Sequence, residues 1–257
     1  MSAEIIEFET YADSVPEILE KISAGRIIAE QEKILLKPNL VTDSPYPVTT
    51  SPLCCGAVID HVRSCNPGAG IIIAEGTGDP KLRDMKIFDA LGYTKLAQQK
   101  GGGLIDLNEE PTVRLENPQC KRFPEFYMPE IAMSCFIISL PVLKVHTLSD
   151  FTGTMKNMMG FAPPSHYSGG GWNKAAFHRG LQEAIYDLNR YRCADLSLMD
   201  AAVGMADSHL GGRKCDPPAG KLVAGYDPVA VDRICAELLG LDWKKIGHLE
   251  KDLQEPF

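Results

Sequence analysis

The chain has 257 residues, a formal net charge of −8, 44% hydrophobic and 23% charged residues. These values are ordinary for a globular protein and do not indicate disorder, while the acidic balance argues against the basic surface that nucleic-acid binding needs. No apolar run approaches the ~20 residues that span a bilayer, and the N-terminus, Met1-Ser2-Ala3-Glu4, lacks the pattern of a signal peptide. We therefore expect a cytoplasmic protein with no membrane or nucleic-acid partner.

Apolar runs alternate with helical patterns, which is typical of a mostly parallel sheet covered by helices. The predicted strands are residues 4–8, 33–36, 70–74, 135–140, 196–199 and 222–224. The predicted helices are residues 14–22, 51–65, 83–91 and 175–191, with a last helix opened by Asp227-Pro228 and stopped by Gly240. Shorter runs at 104–107, 112–115 and 122–127 predict a small β insert. With no linker between these elements, we expect a single α/β domain over residues 1–257, three-layered and Rossmann-like, with helices on both faces.

Polar side chains follow four of the predicted strands, at Lys37, Glu75, Lys144 and Asp200. In open α/β sheets, ligands bind beyond the carboxyl ends of the strands. The four side chains are therefore predicted to share one site.

Lys144 and His146 lie two residues apart in an extended stretch, so their side chains project to the same side. A lysine beside an imidazole suits an anionic substrate and depresses the pKa of the histidine. The alternatives are a solvated lysine at a strand end and a structural histidine.

A lysine and an asparagine, Lys156 and Asn157, stand between glycines in an otherwise apolar segment. A lysine among methionines is a candidate for a lowered pKa, a covalent role or anion binding. The alternative is an exposed lysine on a methionine-rich helix face, which would give the same sequence pattern. His178 and Arg179 follow, and Arg179 has the geometry to orient a carboxylate or phosphate.

Two aspartates at the last helix need separate interpretations. Asp227 is explained by helix capping. Asp232 is either part of an exposed face or an inward carboxylate that partners a lysine or histidine. The turn Glu75-Gly76-Thr77-Gly78 follows a strand as a phosphate loop would, but neither nucleotide-binding spacing is present.

The eight cysteines, at positions 54, 55, 65, 120, 135, 193, 215 and 235, are many for an intracellular chain. None has the two-residue spacing of zinc or iron–sulfur ligands, so the chain carries no cluster motif. Cys135 and Cys235 are expected in the core, and only the pair Cys54-Cys55 is a candidate for reactivity.

Several motifs occur together in a specific order. They are Lys37-Pro38-Asn39, Glu75-Gly76, residues 141–146, residues 153–160, His178 and residues 227–232. In this order they resemble the domain of unknown function 362 family over about residues 33–240. Many members carry a ferredoxin-like module with iron–sulfur clusters, and this chain has no such module. The resemblance implies the fold and the site more than an activity.

The stretch from Lys144 to His178 also has a remote likeness to the lactate racemase family, in which a lysine anchors a nickel-pincer nucleotide. That likeness implies that Lys156 anchors the cofactor, His178 binds nickel and His146 is an acid/base.

Three functions are consistent with these residues. The first is an enzyme acting on a small anionic molecule: Lys144, His146, Lys156 and His178 are catalytic, and Lys37, Asn39, Asn157 and Arg179 bind the anion. In it, Glu75, Asp200 and Asp232 tune these groups or bind a metal ion such as nickel, iron or zinc. The second is a redox accessory protein of anaerobic metabolism with a redox partner, which requires three cysteines around one point. The third is a non-catalytic module for a metabolite or nucleotide, whose pocket would hold lysines without histidine or carboxylate.

Overall fold

The computed structural model describes residues 3–253. Residues 1–2 and 254–257 lie outside the described part of the chain. The N-terminal segment in which we expect no signal peptide therefore lies partly outside it. Within the described part, no helix combines the length and the apolar character needed to cross a bilayer.

Eleven strands are found within residues 3–253. In chain order they are β1 (Glu4–Glu7), β2 (Lys33–Pro38), β3 (Gly70–Glu75), β4 (Gly103–Asp106), β5 (Thr112–Glu116), β6 (Glu125–Pro129), β7 (Phe136–Leu140), β8 (Val142–His146), β9 (Asp150–Thr152), β10 (Leu196–Met205) and β11 (Lys221–Gly225). Nine of them form one sheet in the order β1-β11-β10-β7-β2-β3-β4, with β8 beside β10 and β9 beside β8. The central pairs from β10 to β4 are parallel, whereas β1, β9 and β11 pair antiparallel. The prediction of a mostly parallel sheet is confirmed.

The α-helices of residues 3–253 are α1 (Tyr11–Lys21), α2 (Ala24–Ile28), α3 (Pro52–Cys65), α4 (Asp84–Ala90), α5 (Tyr93–Lys100), α6 (Glu130–Ser134), α7 (Thr154–Asn157), α8 (Pro164–Tyr167), α9 (Leu181–Tyr191) and α10 (Pro228–Leu238). Short 3-10 helices cover Met158–Phe161, Ala175–Phe177 and Trp243–Lys245.

Helices cover both faces of the sheet because the central strands are apolar on both sides. Successive strand side chains point to opposite faces. In β2, Leu35 belongs to one buried core together with α9 and α10. Ile34 and Leu36 belong to a second core together with α1 and α3. The expected three-layer arrangement follows from this alternation.

The predicted β insert divides between two sheets. Its first strand, β4, joins the main sheet as an edge strand parallel to β3. Only β5 and β6 form a separate antiparallel pair.

Two of the four predicted strand ends are wrong. Pro141 separates β7 from β8, so Lys144 lies in the middle of β8 rather than after the preceding strand. β10 continues to Met205, so Asp200 lies in its middle. A buried aspartate is tolerated there because its carboxylate accepts hydrogen bonds from the hydroxyl groups of Tyr11 (2.7 Å) and Tyr46 (3.0 Å).

The helix predicted over residues 175–191 is interrupted at Gly180, which adopts a φ of 76°.

The last helix begins as predicted. The Asp227 side chain accepts a hydrogen bond from the backbone N–H of Val229 at 2.9 Å, so its capping role is confirmed.

Asp232 of α10 is fully buried and holds the start of α7 in place. Its two carboxylate oxygens accept hydrogen bonds from the backbone N–H groups of Thr154 (2.7 Å) and Met155 (2.9 Å). Gly153, directly before α7, has no room for a Cβ against this carboxylate. Asp232 is therefore an inward carboxylate, as one interpretation predicted, but its partners are backbone amides rather than a lysine or histidine.

Replacing Asp232 by asparagine should destabilise the fold. One of the two backbone N–H groups would face an amide NH₂ instead of an acceptor, which costs about 1–3 kcal/mol. The exposed Asp89 of α4 is the matched control, because Asp89→Asn should change the free energy of unfolding by less than about 0.5 kcal/mol. Urea denaturation of the two variants measures the difference, and equal stabilities would contradict the role of Asp232.

Candidate functional site

A cavity of about 520 Å³ lies beyond the carboxyl ends of β2 and β3, at the edge where the sheet was expected to bind a ligand. Seven of the predicted site residues line it. They are Lys37, Asn39, Glu75, His146, Lys156, Asn157 and His178. Lys144, Arg179, Asp200 and Asp232 do not line the cavity.

A buried ion pair forms the floor of the cavity. The Lys37 Nζ lies 2.5 Å from Glu75 Oε1, and both side chains are almost completely buried. Glu75 also accepts hydrogen bonds from the backbone N–H groups of Leu40 (2.7 Å) and Gly76 (2.8 Å). The carboxylate therefore holds together the chain segments that leave β2 and β3.

Two glycines allow the backbone to close over this ion pair. A Cβ at Gly160 would overlap the Lys37 and Glu75 side chains, and a Cβ at Gly76 would overlap the carbonyl oxygen of Gly160. The segment that follows α7 can approach the sheet edge only because both positions lack a side chain.

Asparagines connect the floor to α7 and to β8. Asn157 Nδ2 donates to the backbone oxygen of Lys37 at 2.9 Å, and its Oδ1 accepts from Asn39 Nδ2 at 3.2 Å. The Asn39 Oδ1 in turn accepts a hydrogen bond from Lys144, which also donates to the backbone oxygen of Val48 at 2.7 Å. These two asparagines were predicted as anion ligands, but their amide groups are largely used within the protein.

Lys144 is fully buried beneath the cavity rather than exposed in it. Burial, and then the positive charge of Lys156, lower the pKa of Lys144 to about 7. Its two hydrogen bonds show a structural role that ties β8 to the loop containing Val48.

Lys156 of α7 differs from the other lysines of the site. Within residues 3–253, no acceptor lies within hydrogen-bond or ion-pair distance of its ammonium group, although the side chain lines the cavity. Burial lowers the pKa of Lys156 to about 8. The side chain therefore brings an uncompensated positive charge to the cavity.

His146 of β8 is held in one neutral form. Its Nδ1 accepts hydrogen bonds from the backbone N–H groups of Leu148 (3.0 Å) and Ser149 (3.2 Å). A protonated Nδ1 could not accept them, so the ring proton of neutral His146 lies on Nε2. Burial and the charge of Lys156 also hold the pKa of His146 well below its usual range.

A second histidine, His209, was not predicted. Its ring stacks on His146 with ring centroids 3.7 Å apart, and it lines the cavity. Its Nδ1 is buried and has no hydrogen-bond partner within residues 3–253. Burial, and then Lys156, lower its pKa to about 3. The only sequence signal is its position before Gly211-Gly212, in a turn that follows β10.

Lys174 was also missed, because a lysine in a glycine-rich stretch reads as an exposed loop residue. In the structure it is buried and donates to Asn108 Oδ1 at 2.5 Å and to the backbone oxygen of Ala162. Burial lowers its pKa to about 7. Its ammonium group is therefore occupied by the protein, as is that of Lys37.

His178 and Arg179 lie side by side in the chain but only one belongs to the cavity. The exposed His178 lines it, with its ring edge-on to Trp172 at 6.4 Å between centroids. The Arg179 side chain is exposed outside the cavity, and its backbone oxygen accepts a hydrogen bond from Arg122.

The three carboxylates predicted to bind a metal have separate partners. Glu75 pairs with Lys37, Asp200 with two tyrosines and Asp232 with the start of α7. Within residues 3–253, no three His, Cys, Asp or Glu side chains are grouped as metal ligands require.

All eight cysteines lie in the described residues as free thiols. Cys54 and Cys55 are completely buried, and burial raises the pKa of both thiols, which disfavours the reactive thiolate.

Most backbone N–H groups of the turn after β3 are bonded within the protein, which disfavours a phosphate loop. Such a loop needs free backbone N–H groups. Here the Gly76 N–H donates to Glu75, the Thr77 N–H to Asp84 Oδ1 at 2.9 Å, and the Asp79 N–H to the Thr77 hydroxyl at 3.3 Å.

The fold and the cavity define an α/β protein with a lysine- and histidine-containing pocket at the carboxyl edge of its sheet. The model of the family described as domain of unknown function (DUF362) matches residues 34–237, and the chain belongs to that family. No curated protein matches the chain. The likeness to the lactate racemase family stays a prediction.

Removing the charge of Glu75 should strongly destabilise the protein. Glu75→Gln leaves the buried ammonium of Lys37 without its counter-ion, and breaking such a pair costs about 3–5 kcal/mol. The exposed pair of Lys100 and Asp60 is the control, since Asp60→Asn should cost less than about 1 kcal/mol. Urea denaturation measures both, and losses of similar size would show that the buried pair has no special role.

Proposed function

We propose that the chain is an enzyme that binds a small monoanionic substrate in the cavity, with Lys156 as its charge partner and His146 as a hydrogen-bond donor. The observation that carries this proposal is the cavity-lining ammonium of Lys156, which has no acceptor within residues 3–253. A positive charge that is partly buried without a counter-ion is costly, and an anionic ligand would supply the missing partner.

His146 supports the same function through its tautomer. With Nδ1 occupied by two backbone N–H groups, the proton on Nε2 is available for a ligand oxygen. A neutral imidazole held as a donor can polarise a carbonyl or carboxylate oxygen without itself titrating near neutral pH. The ring of His209, which stacks on His146, lines the same cavity.

A monoanion fits this site better than a phosphate dianion. Among the lysines that line the cavity, Lys37 pairs with Glu75, and Lys174 donates to Asn108 and has a pKa lowered to about 7, which leaves Lys156 as the ammonium available to a ligand. The turn after β3 offers few free N–H groups of the kind that bind phosphate. One ammonium with neutral donors beside it suits a carboxylate.

Histidines beside the lysine favour an enzyme over a purely binding module, because groups with displaced pKa values in a cavity are typical of catalytic sites. No metal-dependent or redox step is part of the proposal, since the described residues supply neither a three-ligand group nor a cysteine cluster. We also propose a cytoplasmic location, because reducing compartments keep cysteines as free thiols.

Lys156→Met should weaken the binding of acetate, used as the simplest carboxylate probe, by about 10- to 100-fold. That is the loss expected when a charge-assisted hydrogen bond of about 1.5–3 kcal/mol is removed. Lys95→Met, which removes an exposed lysine of α5, is the control and should leave the affinity unchanged. NMR titration with acetate measures both variants. Equal affinities in the wild type and Lys156→Met would refute the proposal.

Acetate binding should also depend on pH through Lys156. Its ammonium is charged below its pKa of about 8, so the contribution of Lys156 to the affinity should be nearly constant from pH 6 to 7 and should decrease by up to tenfold per pH unit above about pH 8. Bound acetate raises the pKa of Lys156 in the complex, so the decrease should level off only above that higher pKa. Lys156→Arg keeps the charge at high pH and should remove this decrease. A similar decrease in the arginine variant would assign the titration to another group.

A further inference from the structure

Three exposed apolar side chains stand at the rim of the cavity. Leu148 is 61% exposed, and Trp172 and Leu210 are each 49% exposed. All three line the same cavity. Single exposed apolar residues are ordinary, but an exposed apolar group that gathers around a concave site marks a ligand-binding surface.

The rim residues come from three separate segments whose backbones are held in place. The N–H of Leu148 donates to His146 Nδ1 at 3.0 Å. Trp172 exchanges two backbone hydrogen bonds with Gly169, at 3.0 and 3.1 Å. Leu210 follows His209, whose ring stacks on His146. Two of the three rim residues, Leu148 and Leu210, are therefore held next to contacts that also position the histidines of the site.

The size of the cavity is a second, independent observation. Its volume of about 520 Å³ lies in the range of small-molecule sites, and an inorganic anion or acetate would leave most of it to water. Leu40, Val41 and Met159 add apolar surface to its lining. Space and apolar lining beyond the charged end favour a ligand with an apolar part.

We propose that the substrate is a carboxylate with an apolar tail of several carbons: the carboxylate lies at Lys156 and His146, and the tail lies against Leu148, Trp172 and Leu210. This inference rests on the proposed function and adds the class of substrate to it. Charge complementarity determines the chemistry of one end of the ligand, and the apolar rim determines the chemistry of the other end.

A series of unbranched carboxylates from acetate to hexanoate tests the tail. Affinity for the wild-type protein should increase about two- to fourfold with each added methylene, as expected for partial to full burial of a CH₂ group. Calorimetric titration measures the series. The neutral 1-hexanol is the match for hexanoate and should bind at least about tenfold more weakly, because it lacks the charge that Lys156 recognises.

Two variants separate the ends of the ligand. Trp172→Ala should reduce the gain per methylene and leave the affinity for acetate unchanged, because acetate has no tail that could pack against the indole. Lys156→Met should weaken every member of the series and keep the gain per methylene. Leu53→Ala, which removes a 71% exposed leucine outside this cavity, is the control and should change neither quantity.

A spectroscopic readout locates the tail directly. The chain has two tryptophans. In a Trp243→Phe background, hexanoate should change the emission of Trp172, whereas acetate should not.

The outcomes distinguish this inference from the proposed function. Binding of no carboxylate, or equal binding of hexanol and hexanoate, overturns the proposed function and the inference together. Binding of all carboxylates with one affinity overturns only the inference. An unchanged gain per methylene in Trp172→Ala, with no change in Trp172 emission, places the tail elsewhere and also overturns the inference.

Discussion

The buried ion pair between Lys37 and Glu75 is the contact on which the site depends. Its carboxylate accepts N–H groups from the segments that follow β2 and β3, so one side chain fixes the geometry of both strand ends. The glycines at 76 and 160 let the segment after α7 close over the pair. Since that segment follows Lys156 directly, the position of the unpartnered ammonium is a consequence of this closure.

The site contains four lysines with three different roles. Lys37 has a carboxylate partner, while Lys144 and Lys174 have neutral oxygen partners and lowered pKa values. Lys156 alone among them has no acceptor in the described residues. The protein thus keeps the net positive charge of the cavity small even though the local composition is basic, as the proposed monoanionic substrate requires.

The sequence was sufficient to predict the sheet and the positions of Lys37 and Glu75 in the site. Apolar runs locate parallel strands, and the polar residues at the ends of these strands meet at one edge of the sheet. The prediction that Lys144 and Asp200 follow strand ends was wrong, because the strands continue past Pro141 and up to Met205 through pairing with strands distant in sequence. His209 and Lys174 lie in irregular segments whose path is set by tertiary hydrogen bonds, so no periodic sequence pattern could predict that they line the cavity. The partners of Asp232 could not be predicted either, because they are backbone N–H groups, which every residue other than proline has.

The closely packed glycines at 76 and 160 also limit how this pocket can diversify. A floor made of backbone and one ion pair offers no side chain that can be exchanged without displacing the sheet edge. The rim, by contrast, is carried by loops whose exposed side chains bear little of the packing. Divergence of substrate preference, in nature or by laboratory evolution, should therefore be concentrated in the loops around positions 148, 172 and 210 while the floor stays invariant.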